Sequence, residues 1–339
     1  MTERSVAPTA VGVPSEAQEP VLQVADLQVY YDTPRGVVKA VDGVSFEMLP
    51  GERLGLVGES GSGKSTLALA LMRLHKPPAR IVGGTALLAE RGDLLSLCEE
   101  ETERVRLADI ALVPQGAMNS LNPVMRVREQ IIDGIRAHTN STGTASLRRR
   151  VGELLETVGL SREVGRLFPH ELSGGMKQRV AIAIATALRP KVIIADEPTS
   201  ALDVVVQRQV MRTLGDIQRQ IGAAVLLVGH DMGLMAQFVH RLGVMYAGRL
   251  VELGTVRDVL QRPQHPYTKL LIESVPTMRI KRELVAIPGL PPTLINVPPG
   301  CPFHPRCPSA FERCSREVPR LQAVGAQRVA CHLYDSVRA

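Results

Sequence analysis

A glycine-rich stretch with one lysine, GESGSGKST at 58–66, has the residue types and spacing of a phosphate-binding loop. An apolar segment precedes it, and a helix-forming segment, STLALALMRL, follows it. Glycines let successive backbone N–H groups point at phosphate oxygens, and the helix N-terminus adds its positive end. We expect Lys64 to bridge the β- and γ-phosphates of a nucleotide and the Ser65 hydroxyl to hold Mg²⁺. The expected nucleotide contacts are Gly58, Ser60, Gly61, Ser62, Gly63, Lys64, Ser65 and Thr66.

Two acidic residues follow a short apolar segment, VIIADE at 192–197. A phosphate-binding loop of this kind needs such a partner, because a carboxylate must complete the Mg²⁺ shell. Asp196 suits that role. Glu197 comes one residue later, points elsewhere and can polarise the attacking water.

A third element, LSGGMKQR at 172–179, places a Ser-Gly-Gly turn before a helix. This is a second helix N-terminus suited to an anion, far along the chain from the first. One nucleotide does not need both from the same chain. We therefore expect a head-to-tail pair of subunits, in which Ser173, Gly174 and Gly175 face the nucleotide held by the other subunit's loop.

Alternating apolar strands and helices surround these motifs and predict an α/β sheet protein. Segments within 21–57 are strand-like, and VIIAD and AAVLLVGH are typical of buried parallel strands. We expect a nucleotide-binding domain over 21–260, with a helical subdomain at about 116–185. Prolines become frequent after this point, and most of the cysteines follow, which predicts a separate C-terminal domain over 261–339.

Composition narrows the functional classes. The net charge is +6, with five Phe, five Tyr and no Trp, so few aromatic rings are available for stacking on bases. We therefore expect no nucleic-acid partner. The chain has no uncharged apolar run of about 18 residues, which argues against a membrane-spanning helix. Residues 1–20 are small and polar and lack the apolar core of a signal peptide, so we expect a disordered tail and a protein that stays in the cytoplasm.

Together these motifs resemble the nucleotide-binding subunit of an ABC transporter. The resemblance covers 21–260 and implies a P-loop NTPase cassette, with a RecA-like core and antiparallel β and helical subdomains, followed here by a small loop-rich, cysteine-containing domain. It also implies hydrolysis of ATP coupled to solute translocation. The alternatives are a nucleic-acid-handling ABC ATPase and an exporter ATPase. Leu172 to Met176 match the family's signature motif, with Met176 standing where Gln is usual.

The resemblance also implies individual roles. Tyr31 matches the position that stacks on adenine, with Tyr30 as the adjacent alternative. Gln115 matches a residue that contacts Mg²⁺ and the water, Glu197 matches the catalytic carboxylate, and His230 matches the histidine that reaches the γ-phosphate. The implied Mg²⁺ ligands are Ser65, Gln115 and Asp196, and the implied loop across the dimer interface contains Ser200 and Asp203.

Three longer stretches resemble the importers of oligopeptides, dipeptides and nickel in particular. They are PQGAMNSLNPVMRV at 114–127, HPYTKLLIESVP at 265–276 and the cysteine-rich tail. This resemblance implies two membrane permeases, a second, non-identical ATPase subunit, and an external binding protein, with this subunit at the cytoplasmic face of the membrane. Some members carry oligosaccharides, and the cargo is not specified by this chain. Segment 116–130 is the expected docking site for a permease. Its apolar residues Met118, Leu121, Met125 and Val127 would form the contact surface, or alternatively they belong to the core of the helical subdomain.

Four cysteines lie in the tail at a spacing of Cys301-x5-Cys307-x6-Cys314-x16-Cys331. Zinc sites usually contain C-x2–4-C pairs, which do not occur here, and a reducing cytoplasm disfavours disulfides. Four thiolates can hold a [4Fe–4S] cluster, as the resembling tail is reported to do in some members. Zinc, with His304 or His332, and free buried thiols are the alternatives.

Overall fold

The computed structural model describes residues 18–116, 120–139, 143–274 and 287–335. Most of the predicted N-terminal tail and Met118 lie outside these residues. The strands are β1 (Leu22–Thr33), β2 (Gly36–Met48), β3 (Arg53–Val57), β4 (Ala79–Leu88), β5 (Gly92–Asp93), β6 (Ile110–Val113), β7 (Val192–Asp196), β8 (Ala224–Val228), β9 (Arg241–Tyr246), β10 (Arg249–Thr255), β11 (Gln322–Val324) and β12 (Gln327–Val329). The helices are α1 (Lys64–Leu71), α2 (Glu99–Val105), α3 (Val127–Arg136), α4 (Thr144–Thr157), α5 (Gly174–Thr186), α6 (Val204–Ile221), α7 (Met232–Phe238), α8 (Val256–Gln261) and α9 (Pro266–Glu273).

The main sheet has eight strands in the described structure, in the order β11-β12-β10-β9-β3-β8-β7-β6. Strands β6, β7, β8, β3 and β9 run parallel. Every residue of β3, β7 and β8 is buried, because helices and the second sheet cover both faces of these apolar segments. The carboxyl ends of β3, β7 and β8 therefore lie at one edge, where ligands bind in open α/β sheets.

The second sheet is antiparallel, in the order β2-β1-β4-β5. Its apolar side chains form one core with α1 and with residues of β3, β7 and β8. Tyr31 on β1 pairs with Val38 on β2, which fixes where the end of this hairpin lies. The cassette architecture predicted from the resemblance, a parallel core with an antiparallel β part, is present.

Helices α3, α4 and α5 lie between β6 and β7 in sequence, inside the predicted helical range. Leu121 and Val127 are buried in the core that these helices share with the main sheet. For these two residues the structure favours the alternative to docking, since a buried side chain is not available to a permease. Met125 is half-buried.

The C-terminal region is loop-rich, as expected, and it is joined to the main sheet. Strand β12 pairs antiparallel with β10 through Glu252 and Val329, and β11 pairs with β12. The predicted boundary near 260 is thus not a break in the sheet, because two short strands return to its edge. Among the described residues, no helix has the length and hydrophobicity needed to span a membrane.

Candidate active site

A cavity of about 870 Å³ opens at the carboxyl edge of the main sheet. Its volume lies in the range of small-molecule sites. Residues predicted from five separate parts of the chain meet here. The lining residues include Tyr31, Gly58, Ser60, Gly61, Ser62, Gly63, Lys64, Ser65, Thr66, Gln115, Glu197 and His230.

The loop after β3 adopts a conformation that two of its glycines permit. Gly58 has φ 156° and Gly63 has φ 98°. A Cβ atom on Gly58 would lie 2.1 Å from the Met245 carbonyl oxygen, and one on Gly63 would lie 1.9 Å from the Ala40 carbonyl oxygen. No side chain fits at either place, so these two positions require glycine on steric grounds as well as for the approach of a phosphate.

Lys64 lies on the first turn of α1, and its ammonium group is directed back over the loop. Its Nζ donates to the carbonyl oxygens of Gly58 at 2.8 Å and Glu59 at 3.0 Å, and to the Ser62 hydroxyl at 3.1 Å. Burial lowers the pKa of Lys64, while the carboxylates of Glu197, Asp196 and Glu59 oppose that shift. The loop therefore holds a partly desolvated positive charge, which favours an anionic ligand.

Ser65 and Asp196 meet where an Mg²⁺ ion is expected. The Ser65 hydroxyl donates to Asp196 Oδ1 at 3.1 Å. Burial raises the pKa of Asp196, and the hydrogen bond from Ser65 lowers it. An oxygen-only donor set with an under-neutralised buried carboxylate fits Mg²⁺, which prefers carboxylate, hydroxyl and water oxygens.

The carboxylate of Glu197 is held at both oxygens. Gln115 Nε2 donates to Oε2 at 2.8 Å, and His230 Nδ1 lies 3.1 Å from Oε1. Glu197 has φ 43°, which is uncommon for a residue other than glycine and is a kind of backbone strain that clusters at functional sites. The structure thus brings together the three residues that the sequence predicted as catalytic.

Of the two adjacent tyrosines, Tyr31 lines the cavity, and its hydroxyl lies 3.2 Å from the Thr66 hydroxyl. Tyr30 points to the other face of β1, as strand alternation requires, and donates to Asp42 at 2.6 Å. The geometry favours Tyr31 over Tyr30 as the residue facing a nucleotide base.

The Ser-Gly-Gly turn is not part of this cavity as the structure describes it. Ser173 caps α5 by accepting a hydrogen bond from the Met176 N–H, and Gly175 lies where a Cβ would be 2.4 Å from Val206 of α6. Ser200 lines a separate pocket beyond Glu197, and Asp203 caps α6 by accepting from the N–H groups of Val205 and Val206. One chain therefore brings together only part of the predicted site.

Six further residues line the cavity that the sequence analysis did not predict: Thr33, Glu59 and four apolar residues. Val38 and Ala40 come from β2, and Leu271 and Leu294 come from the C-terminal region. The Lys39 N–H donates to the Leu294 carbonyl oxygen at 3.0 Å, which fixes that segment beside β2. Single apolar residues carry no chemical signal in a sequence, so only the fold could show them.

The four tail cysteines line one small cavity, with His265, His304 and His332 also at its wall. Burial raises the pKa of Cys301 and of Cys331 to about 11, and it raises that of Cys307 as well. Four thiols around one space fit the chemistry of a thiolate-bound centre. The positions of these thiols, however, do not form a metal site. Among the described residues, no group of three or more His, Cys, Asp or Glu side chains is arranged to hold a metal ion.

His332 is a poor candidate for a zinc ligand. Its Nδ1 lies 2.6 Å from Asp335 Oδ2, and its Nε2 lies 2.8 Å from the Glu317 carbonyl oxygen. Both ring nitrogens are therefore already occupied. The zinc alternative loses one of its two candidate histidines.

Comparisons with known proteins agree with this geometry. A family profile described as ABC transporter matches residues 41–200. The solved dimeric cassette MJ0796 bound to ADP and phosphate superposes with a TM-score of 0.62 at 27% identity, over 70% of this chain and 99% of that chain. A second solved dimer of MJ0796, described as a bacterial ABC transporter cassette, gives 0.62 at 28% identity with the same coverage. Fold and site define an ATPase cassette of the ABC transporter class.

The C-terminal region narrows the assignment. A profile described as the oligopeptide/dipeptide transporter C-terminal region matches residues 251–314. The oligopeptide transport ATP-binding protein OppD of Escherichia coli is 43% identical over 96% of this chain and 97% of its own length. The dipeptide transport ATP-binding protein DppD of Bacillus subtilis is 42% identical over 94% and 96%. The chain belongs to this family of peptide-transport ATP-binding proteins, which confirms the resemblance predicted from the sequence.

Proposed function

We propose that the chain binds Mg·ATP in the cavity at the carboxyl edge of the main sheet and hydrolyses it to power the import of oligopeptides or dipeptides. The observation that carries the proposal is the meeting of Lys64, Ser65, Asp196, Gln115 and Glu197 around one nucleotide-sized space. The assignment of each residue's role is part of the proposal.

The chemistry follows from the contacts. The loop N–H groups and Lys64 bind the phosphates, and Tyr31 stacks on the base. Ser65, Gln115 and Asp196 would hold Mg²⁺, which would neutralise charge on the phosphates. Glu197 accepts a proton from the attacking water, and Gln115 and His230 orient its two oxygens. Most of the rate gain in such a reaction comes from positioning and charge stabilisation.

We further propose that two subunits bind head to tail. The signature turn, Ser173 to Gly175, does not line the cavity of its own chain, which supports this arrangement. The turn can contact a nucleotide only if that nucleotide is bound to the other subunit. ATP then closes the pair, since its contacts to the second subunit exist only in the closed state. Hydrolysis removes the γ-phosphate contact and reopens it.

The proposed assembly places this subunit at the cytoplasmic face of the cell membrane, bound to two permease subunits and to a second, related ATPase. An external binding protein delivers the cargo. Peptides are the proposed cargo because the OppD and DppD relatives are named for their transport. Reconstitution with the permeases tests this: peptide with its binding protein should stimulate ATP hydrolysis, whereas stimulation by oligosaccharide alone would contradict it.

The first test of the enzyme is Glu197→Gln. We expect ATP binding to be retained and turnover to fall by about 100-fold or more, as for loss of a general base. Glu153→Gln, on the exposed face of α4, is the matched control and should turn over like the wild type. Undiminished turnover by Glu197→Gln would refute the proposed role of this carboxylate.

Mixing two inactive variants tests the head-to-tail arrangement. Lys64→Ala damages the phosphate loop, and Ser173→Arg damages the signature turn. A mixed pair contains one site with both halves intact, so hydrolysis should reappear on mixing if the chain pairs with itself. If the partner is the related subunit, a pair with Ser173→Arg in this chain and a loop variant in the partner keeps one intact site and should hydrolyse ATP, whereas a pair with both loops damaged should not. Recovery in neither arrangement would contradict the shared site.

For the four tail cysteines we propose a structural [4Fe–4S] cluster. The donor set supports it, and the sulfur positions must rearrange to accept it. Iron, acid-labile sulfide and zinc content after anaerobic purification, with a visible spectrum, test the proposal. Iron-free and zinc-free protein with titratable thiols and a folded tail would show that Cys301, Cys307, Cys314 and Cys331 are packing residues.

A further inference from the structure

Glu59, the second residue of the phosphate loop, has all of its polar groups engaged. Its carbonyl oxygen accepts from Lys64 Nζ at 3.0 Å. Its N–H donates to the Tyr267 hydroxyl at 3.0 Å. Its carboxylate receives two hydrogen bonds from the Arg306 guanidinium, at 2.8 and 3.0 Å. Two of these three partners come from the C-terminal region, more than 200 residues away in the sequence.

Arg306 is built into this position. Its side chain is only 6% exposed, and its Nε donates to the Pro288 carbonyl oxygen at 2.8 Å. Its Nη1 also lies 3.2 Å from the Tyr246 hydroxyl, and the guanidinium lies over the Tyr246 ring at 5.8 Å. The hydrogen bonds to Glu59 raise the pKa of Arg306 further. A bidentate guanidinium–carboxylate pair of this kind fixes direction as well as distance.

Tyr267 is fully buried and reaches the loop from the start of α9. His265 accepts a hydrogen bond from the Tyr267 N–H and so caps that helix. The Tyr267 ring packs against Tyr246 and Phe303, with centroids 4.6 and 5.3 Å apart. The HPYT segment therefore places one hydroxyl against the backbone of the phosphate loop.

We propose that Arg306 and Tyr267 are positioning residues for ATP binding, which hold Glu59 and through its carbonyl oxygen set the place of Lys64. The inference rests on the proposed function, in which Lys64 binds phosphate. It assigns the C-terminal region a part in the ATPase site. Because Arg306 directly precedes Cys307, the same contact joins the cysteine-lined cavity to the phosphate loop.

Substitution of Arg306 by Gln tests the inference. Loss of the pair frees a half-buried carboxylate beside the phosphates, so the KM for ATP and the ATP dissociation constant should each rise about tenfold or more. The kcat at saturating ATP should change little, because Lys64 itself is retained and the bound phosphates restore its position. Tyr267→Phe, which leaves the Glu59 N–H unpaired, should shift the same constants in the same direction and by less.

Arg241→Gln is the matched control. The Arg241–Glu52 pair is also a partly buried Arg–Glu contact, at 3.1 Å, and it lies at the opposite end of β3 from the phosphate loop. Its loss should lower the unfolding midpoint without changing the KM for ATP. A KM effect of Arg306→Gln no larger than that of Arg241→Gln would overturn the proposal.

A double variant separates positioning from general damage. Glu59→Gln/Arg306→Gln removes both charges, so ATP affinity should recover part of the loss caused by Arg306→Gln alone. Arg306→Lys keeps the charge but not the bidentate geometry and should bind ATP more weakly than wild type. Arg306→Lys with wild-type affinity would overturn the inference, even if Arg306→Gln fails to fold. Failure of the wild-type chain to bind ATP in the same titration would instead refute the proposed function.

Discussion

Two glycines of the phosphate loop, only two positions apart in the sequence, allow the steric argument to be tested. Gly61 and Gly63 have φ 77° and 98°, so alanine at either position pays the cost of left-handed backbone, about 1–2 kcal/mol. They differ in the space around them. A Cβ on Gly61 meets nothing within 4 Å, whereas one on Gly63 lies 1.9 Å from the Ala40 carbonyl oxygen.

The clash at Gly63 must be relieved by moving the loop or β2 by about 1 Å, since both groups in contact are backbone. Overpacking of this kind costs about 1–3 kcal/mol beyond the backbone term. We therefore expect Gly61→Ala to lower the free energy of unfolding by about 1–2 kcal/mol, from the left-handed backbone alone. We expect Gly63→Ala to lower it by about 2–5 kcal/mol, from both costs together.

Urea unfolding of the nucleotide-free proteins measures this difference without any contribution from phosphate contacts. The ATP dissociation constant then measures the second consequence: a displaced loop in Gly63→Ala should bind ATP at least about tenfold more weakly than Gly61→Ala, which corresponds to about 1.4 kcal/mol. Equal unfolding free energies for the two variants would refute the reasoning, because the backbone cost is common to both and only the clash distinguishes them.

Three further outcomes follow from other parts of the molecule. In metal-free protein at pH 8, thiols with a pKa of about 11 are mostly protonated. Cys301 and Cys331 should therefore react with iodoacetamide about two orders of magnitude more slowly than exposed Cys98. This difference in reaction rate should narrow as the pH approaches 11. Burial lowers the pKa of His265 to about 3, so its contribution to stability is complete above its unfolded value of about 6.5 and is lost as the pH falls towards 3. His265→Asn should flatten the acid side of the stability profile, measured by urea unfolding at each pH. Asp203→Ala should cost about 1 kcal/mol of unfolding free energy by removing the cap of α6, and Asp203→Asn should cost less.

The sequence predicted the parts of the fold whose cause is local. The apolar strands VIIAD and AAVLL lie buried in the parallel sheet because their side chains suit both covered faces. The phosphate loop, Gln115, Glu197 and His230 line one cavity, and Asp196 contacts the loop through Ser65, because motifs at the carboxyl ends of neighbouring parallel strands share one edge.

Other features depend on distant pairing, which no local pattern encodes. Strands β11 and β12 have three residues each, and they join the sheet only because β12 pairs with β10 and β11 pairs with β12. Leu121 and Val127 lie in a segment expected to dock a permease, yet the fold buries both, since an apolar side chain suits a core as well as an interface. The pairing of Glu59 with Arg306 spans 247 residues between two ordinary charged side chains.

The C-terminal region therefore does more than follow the cassette. Tyr267 and Arg306 hold the phosphate loop on one side, and Leu294 lines the cavity beside β2 on another. These contacts come from segments that are separate in the sequence and are brought together by the β10–β12 pairing and by the packing of Phe303 on Tyr246 and Tyr267. A cassette ending at residue 260 would keep every recognised ATPase motif and would lose three of the contacts that shape its nucleotide cavity. The motifs supply the chemistry, and the region after them supplies part of the geometry in which that chemistry operates.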